Sequence, residues 1–425
     1  MSRGEQLTRR LVFLLLLPLA LEPSAHAQLI TLGSDHLTIQ DASDATRVDV
    51  GPRIIVQGEE IRVLGSGYSI QNLINDAAVD ASASKPYRIV LGPGVYTLTA
   101  GLVMKPWVSL AGSGQEATVL KSGVAIENLV SGADNMSLTD MTIENAGGSG
   151  TTTAILNDAA SPRLTRITAI ASGLIEQYGV RNTGSSSPTM TDVEVVVSGQ
   201  GSIYGVYNQG GSPMMTDVTV TITGSNTNFG IHNTSSSPVM TNVRSTVSGG
   251  VSIWAVRNSD SSPEMTGVTA IASGASFTGY AVENLESSPI MTNVTANCSG
   301  GVVCYGVLNG SSSSPTMTGV AVAVSDGDTN IGISNTASSS PAMTRVFVTA
   351  SGGNAATALF NGFLSVPEIK DSVINAENGA TNIGIDGIDA DARIYNTVVI
   401  GGVANDDAGN QCHEVYDDTP ASVGC

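Results

Sequence analysis

An asparagine recurs at Asn157, Asn182, Asn208, Asn233, Asn258, Asn284, Asn309, Asn335 and Asn361, each 25 or 26 residues after the last. Across a short polar turn a proline follows each one, at Pro162, Pro188, Pro213, Pro238, Pro263, Pro289, Pro315, Pro341 and Pro367. Most copies continue with a Met-Thr pair, a β-branched run and a Ser-Gly breaker. A chain that repeats at a fixed short period folds by stacking or ringing one supersecondary unit, so this recurrence bounds the fold before any other feature does.

A period of two sorts the positions into faces. Two residues before each asparagine sits an aliphatic: Ile155, Val180, Val206, Ile231, Val256, Val282, Val307, Ile333, Leu359. The position between is unconstrained, with Arg181, Tyr207, His232, Arg257 and Glu283 among its occupants. The first column therefore faces a core and the second solvent. Val193, Val218, Val243, Val268, Val294, Val320 and Val346 form another inward column after the proline. Alternation of this kind marks strands, not helices, and the repeat is too short for a propeller blade of ~40–50 residues.

Each repeat thus holds about three short strands, and coiling the chain so that copies stack buries every apolar column. The expected fold is all-β, a right-handed single-stranded parallel β-helix with rungs ~4.8 Å apart and a length of roughly 55 Å. The recurring asparagine suits a turn in the left-handed region, and stacked asparagines can also hydrogen-bond from rung to rung. Proline fits at a strand entrance, where no ladder donor is lost. The Met190-to-Met343 column reads as core filler.

A solenoid needs caps. Ser69 followed by apolar residues at 70, 73, 74, 77 and 78 predicts an N-terminal capping helix. Residues 1–27 read as a secretory signal: Arg3, Arg9 and Arg10, the apolar run Leu11–Leu21, then Ala25-His26-Ala27. The expected organisation is signal 1–27, an N-terminal extension 28–64, β-helix 65–401 and a C-terminal cap 402–425. Export makes disulfides admissible, with Cys298 and Cys304 as one neighbouring pair and Cys412 and Cys425 as another, although four cysteines allow three connectivities. The expected location is extracellular, periplasmic or on the cell surface. With 37 Asp or Glu against 18 Lys or Arg, the net charge of −19 disfavours nucleic acid and anionic membrane surfaces as partners. No segment is an apolar run long enough for membrane insertion.

The stretches Arg88-Ile89-Val90-Leu91-Gly92-Pro93-Gly94-Val95-Tyr96, Val108-Ser109-Leu110-Ala111-Gly112-Ser113-Gly114 and Thr118-Val119-Leu120 resemble the opening turns of the pectin-lyase-like superfamily. Leu138-Thr139-Asp140-Met141-Thr142-Ile143-Glu144-Asn145 is similar to a first-sheet strand of that superfamily, and the resemblance covers roughly residues 65–400. It implies the right-handed parallel β-helix. It leaves activity open, because the superfamily holds lyases, hydrolases, esterases and non-catalytic surface proteins. The superfamily's acidic pair with a histidine and its Arg-x-Lys element are absent.

Candidate chemistry lies in outward columns after the Met-Thr pair. There Asp192, Glu194 and Asp217 are expected to cluster on a sheet face, flanked by Arg166 and Arg244. Paired carboxylates beside a guanidinium can serve glycoside hydrolysis, ester cleavage or Ca²⁺-assisted lyase chemistry, and only the last would bring a cofactor. The alternative is a solvated face with compensating charges. A second column, four residues before each asparagine, is Tyr178, Tyr204, Phe229, Trp254, Tyr280 and Tyr305. Facing solvent it would suit sugar rings, but strict parity with the aliphatics turns it inward. Tyr207, His232 and Arg257 are candidate ligand contacts on the outward column.

Three functions follow. The first is a secreted or surface-exposed, non-catalytic repeat protein whose lateral face binds a polysaccharide, cell-surface glycan or other extracellular ligand. The second is a polysaccharide-active lyase, hydrolase or esterase acting on uronate-type polymers. The third is a structural or adhesive rod.

Overall fold

The computed structural model describes residues 29–32, 37–41, 44–48, 54–57 and 69–417, apart from 363, 388–391, 402 and 405–410. The expected signal at 1–27 lies outside the described residues, as does Cys425 and with it the expected Cys412–Cys425 bridge. The chain divides into two compact units, 1–51 with 63–67 and 52–62 with 68–425. In the first, Leu29–Leu32, Leu37–Asp41 and Asp44–Val48 pair as an antiparallel meander.

The second unit is an all-β parallel β-helix of about 12 turns. The turn from Val239 to Ser259 shows how the repeat produces it. A first strand, Val239–Thr241, meets a second, Arg244–Ser248, at Asn242, whose φ of 54° lies in the left-handed region. Gly249 and Gly250, at φ 69° and 103°, then swing the chain into a third strand, Ser252–Ser259. A Ser-rich turn returns it to Pro263, and Glu264 donates its N–H to the carbonyl of Pro238 one rung back. Proline therefore opens each first strand without removing a ladder donor.

Identical positions sit over one another, as in Met240 over Met215 and Val256 over Ile231. Third strands make a 13-stranded sheet among the described residues. In earlier turns the first two strands run as one bent strand, for example Thr189–Gly199. The methionines Met190, Met215, Met240, Met265, Met291, Met317 and Met343 and the inward valines are no more than 1% exposed, which fills the core with soft and β-branched side chains.

Helix α1 (Ile70–Ala78) packs on the first turns through Ile70, Leu73, Ile74 and Ala77, and Ser69 Oγ accepts the N–H of Asn72 at 3.1 Å. Ile54–Gln57 adds one antiparallel strand to Tyr87–Leu91. Cys298 and Cys304 are disulfide-bonded across the glycine turn between second and third strands.

One local expectation needs correction. The recurring asparagines are not turn residues. Asn157 to Asn361 lie inside third strands or at their ends, fully buried, and each Nδ2 from Asn157 to Asn335 donates to the Oδ1 one rung on at 2.7–2.9 Å. The left-handed position belongs instead to the column Asp140, Arg166, Asp192, Asp217, Asn242, Gly267, Asn293, Gly319 and Arg345, with φ between 50° and 64°. Asp, Asn and Gly tolerate that conformation best, which explains their dominance there.

Candidate functional site

The corner just described disperses the acidic candidates. Asp192 and Asp217 sit on the bend between first and second strands, not on a sheet face, while Glu194 and Arg244 lie two residues beyond the bend position. All four are exposed. Arg166 is engaged elsewhere, donating from Nε to Asp140 Oδ1 at 2.5 Å and from a terminal nitrogen to Oδ2 at 2.9 Å. That guanidinium holds the Asp140 carboxyl below the usual carboxylate range. Asp217 accepts from Asn242 Nδ2 at 3.3 Å, and Glu194 accepts from Thr168 Oγ1 at 3.4 Å. These exposed carboxylates are open to water. Among the described residues no three of His, Cys, Asp or Glu gather closely enough to hold a metal ion.

The other column behaves differently from its parity. Between the aromatics and the inward aliphatics lies a small residue: Gly179, Gly205, Gly230, Ala255, Ala281 or Gly306. A Cβ on Gly205 would stand 2.2 Å from Val220 Cγ1 in the core, so this position points inward. Two consecutive residues, Gly205 and Val206, thus face the interior, and the ladder passes from Tyr204↔Phe229 straight to Val206↔Ile231. The bulge reverses the alternation and turns the aromatic column outward. It shares the outer face of the 13-stranded sheet with Arg181, Tyr207, His232, Arg257 and Glu283.

Tyr178, Tyr204, Phe229, Trp254, Tyr280 and Tyr305 stack at the rung spacing, with centroids 4.7–5.2 Å apart and interplanar angles of 4–17°. Their faces cover one another and Tyr178 and Phe229 are buried, so a ligand along the sheet meets mainly the edges of the half-buried Tyr204, Trp254, Tyr280 and Tyr305. Burial pushes the phenols up, Tyr280 to about 12, which keeps them protonated near neutral pH.

The neighbouring column laces charge into this stack. Arg181 lies over Tyr178 at 4.8 Å, and Arg257 lies 5.3 Å from Trp254 and 5.7 Å from Phe229. Arg257 Nε is 2.8 Å from Glu283 Oε2, and the Glu283 side chain is only 8% exposed. Burial raises the Glu283 carboxyl while Arg257 and Trp254 oppose that shift. His232 stacks on Phe229 at 4.8 Å and meets Tyr207 edge-on at 5.5 Å. Burial, with Arg257 nearby, lowers its pKa to about 4, so the ring is neutral at pH 7. Its Nε2 is 3.2 Å from Thr234 Oγ1, and its buried Nδ1 has no hydrogen-bond partner among the described residues.

The three ligand candidates Tyr207, His232 and Arg257 therefore come together in one cluster, whereas the acidic candidates line a corner. Arg181 and Glu283 were not singled out from sequence, although they occupy the same outward column.

No family model matches the chain, and no curated protein is significantly similar to it in sequence. Solved structures do resemble it. The A-module of a mannuronan C-5 epimerase from Azotobacter vinelandii is 14% identical, over 83% of this chain and 94% of that one, with a TM-score of 0.45. A pectin methylesterase from Yersinia enterocolitica is 18% identical, over 51% and 78% of the two chains, with a TM-score of 0.30. Tailspike protein 2 of an Escherichia coli O157:H7 bacteriophage is 11% identical, over 91% and 49%, with a TM-score of 0.40. Such likeness concerns the fold.

Proposed function

We propose that this chain is an extracellular, non-catalytic β-helix that binds a polysaccharide or cell-surface glycan along the outer face of its 13-stranded sheet. The observation that carries this reading is the convergence of the aromatic ladder with Tyr207, His232 and Arg257 on one lateral face. Ring edges recurring rung by rung, with neutral phenols and the guanidinium groups of Arg181 and Arg257 beside them, offer a long glycan both apolar and hydrogen-bonding contacts. The acidic candidates are exposed to solvent, whereas the aromatic face gathers its side chains into one cluster, which favours binding over hydrolysis. The disulfide fits an oxidising compartment. Among the described residues no helix is long and apolar enough to cross a membrane.

The test is a polysaccharide panel scored for both retention and product release. Retention without released sugars is expected, with Arg257→Ala and Tyr207→Ala each weakening it by about tenfold or more. Release of reducing or unsaturated sugars that disappears in Asp192→Ala would establish an enzyme instead. Retention by neither wild type nor variants on any member would leave the rod reading in its place.

A further inference from the structure

A second concave site lies on a different face, near the N-terminal end of the β-helix. Its volume is about 370 Å³, and its walls include Trp107, Ser109, Asn135, Ser137, Arg163 and Thr189. Ser137, Arg163 and Thr189 are one outward column, in register on three successive rungs, and Ser109 belongs to the rung before. The volume is at the small end of the range for small-molecule pockets.

Two observations mark this as more than a surface dent. Trp107 has φ of 65°, a left-handed conformation that a bulky side chain adopts only at a cost and that other contacts must enforce. Its carbonyl accepts the N–H of Tyr87 at 2.8 Å, and the carbonyl of Lys105 accepts the N–H of Val108 at 3.1 Å, which clamps the backbone on both sides. The second observation is a set of unspent polar groups. Asp134, the nearby carboxylate, accepts from the Ser161 N–H at 2.8 Å, and Arg163 is left without an ion pair among the described residues. Ser109 Oγ is engaged by the Ser137 N–H at 3.0 Å, whereas the Ser137 and Thr189 hydroxyls have no hydrogen-bond partner among the described residues. Arg163 is exposed, so its guanidinium at the pocket wall is open to a ligand.

We infer that this pocket binds a single pyranose bearing one anionic substituent. The indole supplies a platform for the apolar C–H face of the ring. The guanidinium takes the carboxylate or sulfate, and the serine and threonine hydroxyls take ring hydroxyls. The site is separate from the aromatic ladder and does not depend on the function proposed for it.

The experiment uses the fact that the chain has two tryptophans, Trp107 and Trp254. In a Trp254→Phe background Trp107 is the sole indole emitter. Titration with D-glucuronate, with glucose 6-sulfate and with D-glucose is expected to change its emission saturably for the two anionic probes, with glucose weaker by about tenfold or more. Comparing the two anions separates a carboxylate source from a sulfate source. Arg163→Gln should bring the anionic sugars down to the level of glucose. Trp107→Gly removes the platform while suiting the left-handed backbone, so calorimetry on that variant should find binding lost and thermal stability kept. Unchanged Trp107 emission up to roughly tens of millimolar, or affinity indifferent to Arg163→Gln, overturns the site. Calorimetric binding that survives Trp107→Gly but is lost in Arg257→Ala places the sugar on the aromatic face and likewise overturns it.

Discussion

The buried asparagine column is the residue-scale feature with the most at stake, because each amide from Asn182 to Asn335 both gives and receives a hydrogen bond away from water. Asn258 accepts from Asn233 and donates to Asn284, each at 2.8 Å. Asn258→Ala leaves a buried donor and a buried acceptor unpaired, and a loss of roughly 2–4 kcal/mol in unfolding free energy is expected by denaturant titration. A surface change such as Glu264→Gln, at an exposed strand position, is the control and should fall within about 0.5 kcal/mol. His232 makes the second residue-scale prediction. Its folded pKa of about 4 lies below the unfolded value of about 6.5, so the unfolded chain binds more protons between those limits. Its contribution to stability is present above about pH 6.5 and is lost as pH falls toward about 4. Glu283 works in the opposite sense: its raised carboxyl contributes stability at low pH that is lost as pH rises through the folded value. His232→Gln should therefore flatten the acid-side decline in melting temperature. The imidazole carbon-2 proton of His232 should titrate near pH 4; a midpoint near 6.5 would show that the ring is solvated rather than packed on Phe229.

At the scale of one strand, a small residue decides which way the aromatics point. Gly205 faces Val220 and Ile222 across the core, and Gly306 faces Val322 and Val324. Where the position is Ala255 or Ala281, the residues in register with that facing pair are Ala270 and Ala272, or Ala296 and Cys298. Bulk on one strand is thus matched by its absence on the other. Gly205→Ala should destabilise by about 1–3 kcal/mol or more, since the new Cβ meets Val220 Cγ1 at 2.2 Å and the Gly230 carbonyl at 2.5 Å, and Val220→Ala in the same chain should relieve the first contact and recover part of the loss. Additive losses in that double-mutant cycle would mean that the two side chains do not meet. This column also explains what could and could not be read from the sequence. The repeat, its three strands, the methionine core and the capping helix were all visible as periodic apolar residues. The facing of Tyr204 or Trp254 was not, because counting by twos assumes an unbroken strand. A run of Gly and Ala at 179, 205, 230, 255 and 281 is itself a bulge signal. The left-handed corner was legible in the same way through its Asp, Asn and Gly, but Arg166 and Arg345 in that column disguised it as a charged sheet face.

For the β-helix unit as a whole, contacts run almost entirely between adjacent turns, as in Asn309 bonded only to Asn284 and Asn335 within its ladder. Stability in such a stack is close to a sum over neighbouring interfaces, and no turn needs a distant partner. Removing one whole period should then leave every column intact. Deleting residues 310–335 joins Asn309 to Thr336, puts Asn361 next above Asn309 and spares both the aromatic ladder and the Cys298–Cys304 bridge. That variant should keep a β-rich circular dichroism spectrum, melt at a somewhat lower temperature and bind glycan as the parent does. Deleting 310–322, half a period, sets the asparagine column against the buried column of Val322 and Val348 and offers buried amides no partner, so it should fail to fold. Equal behaviour of the two deletions would mean that register along the stack is not what holds the molecule together. Loss of glycan binding in the whole-period deletion alone would mean that the binding face extends past Tyr305 toward the C-terminal turns.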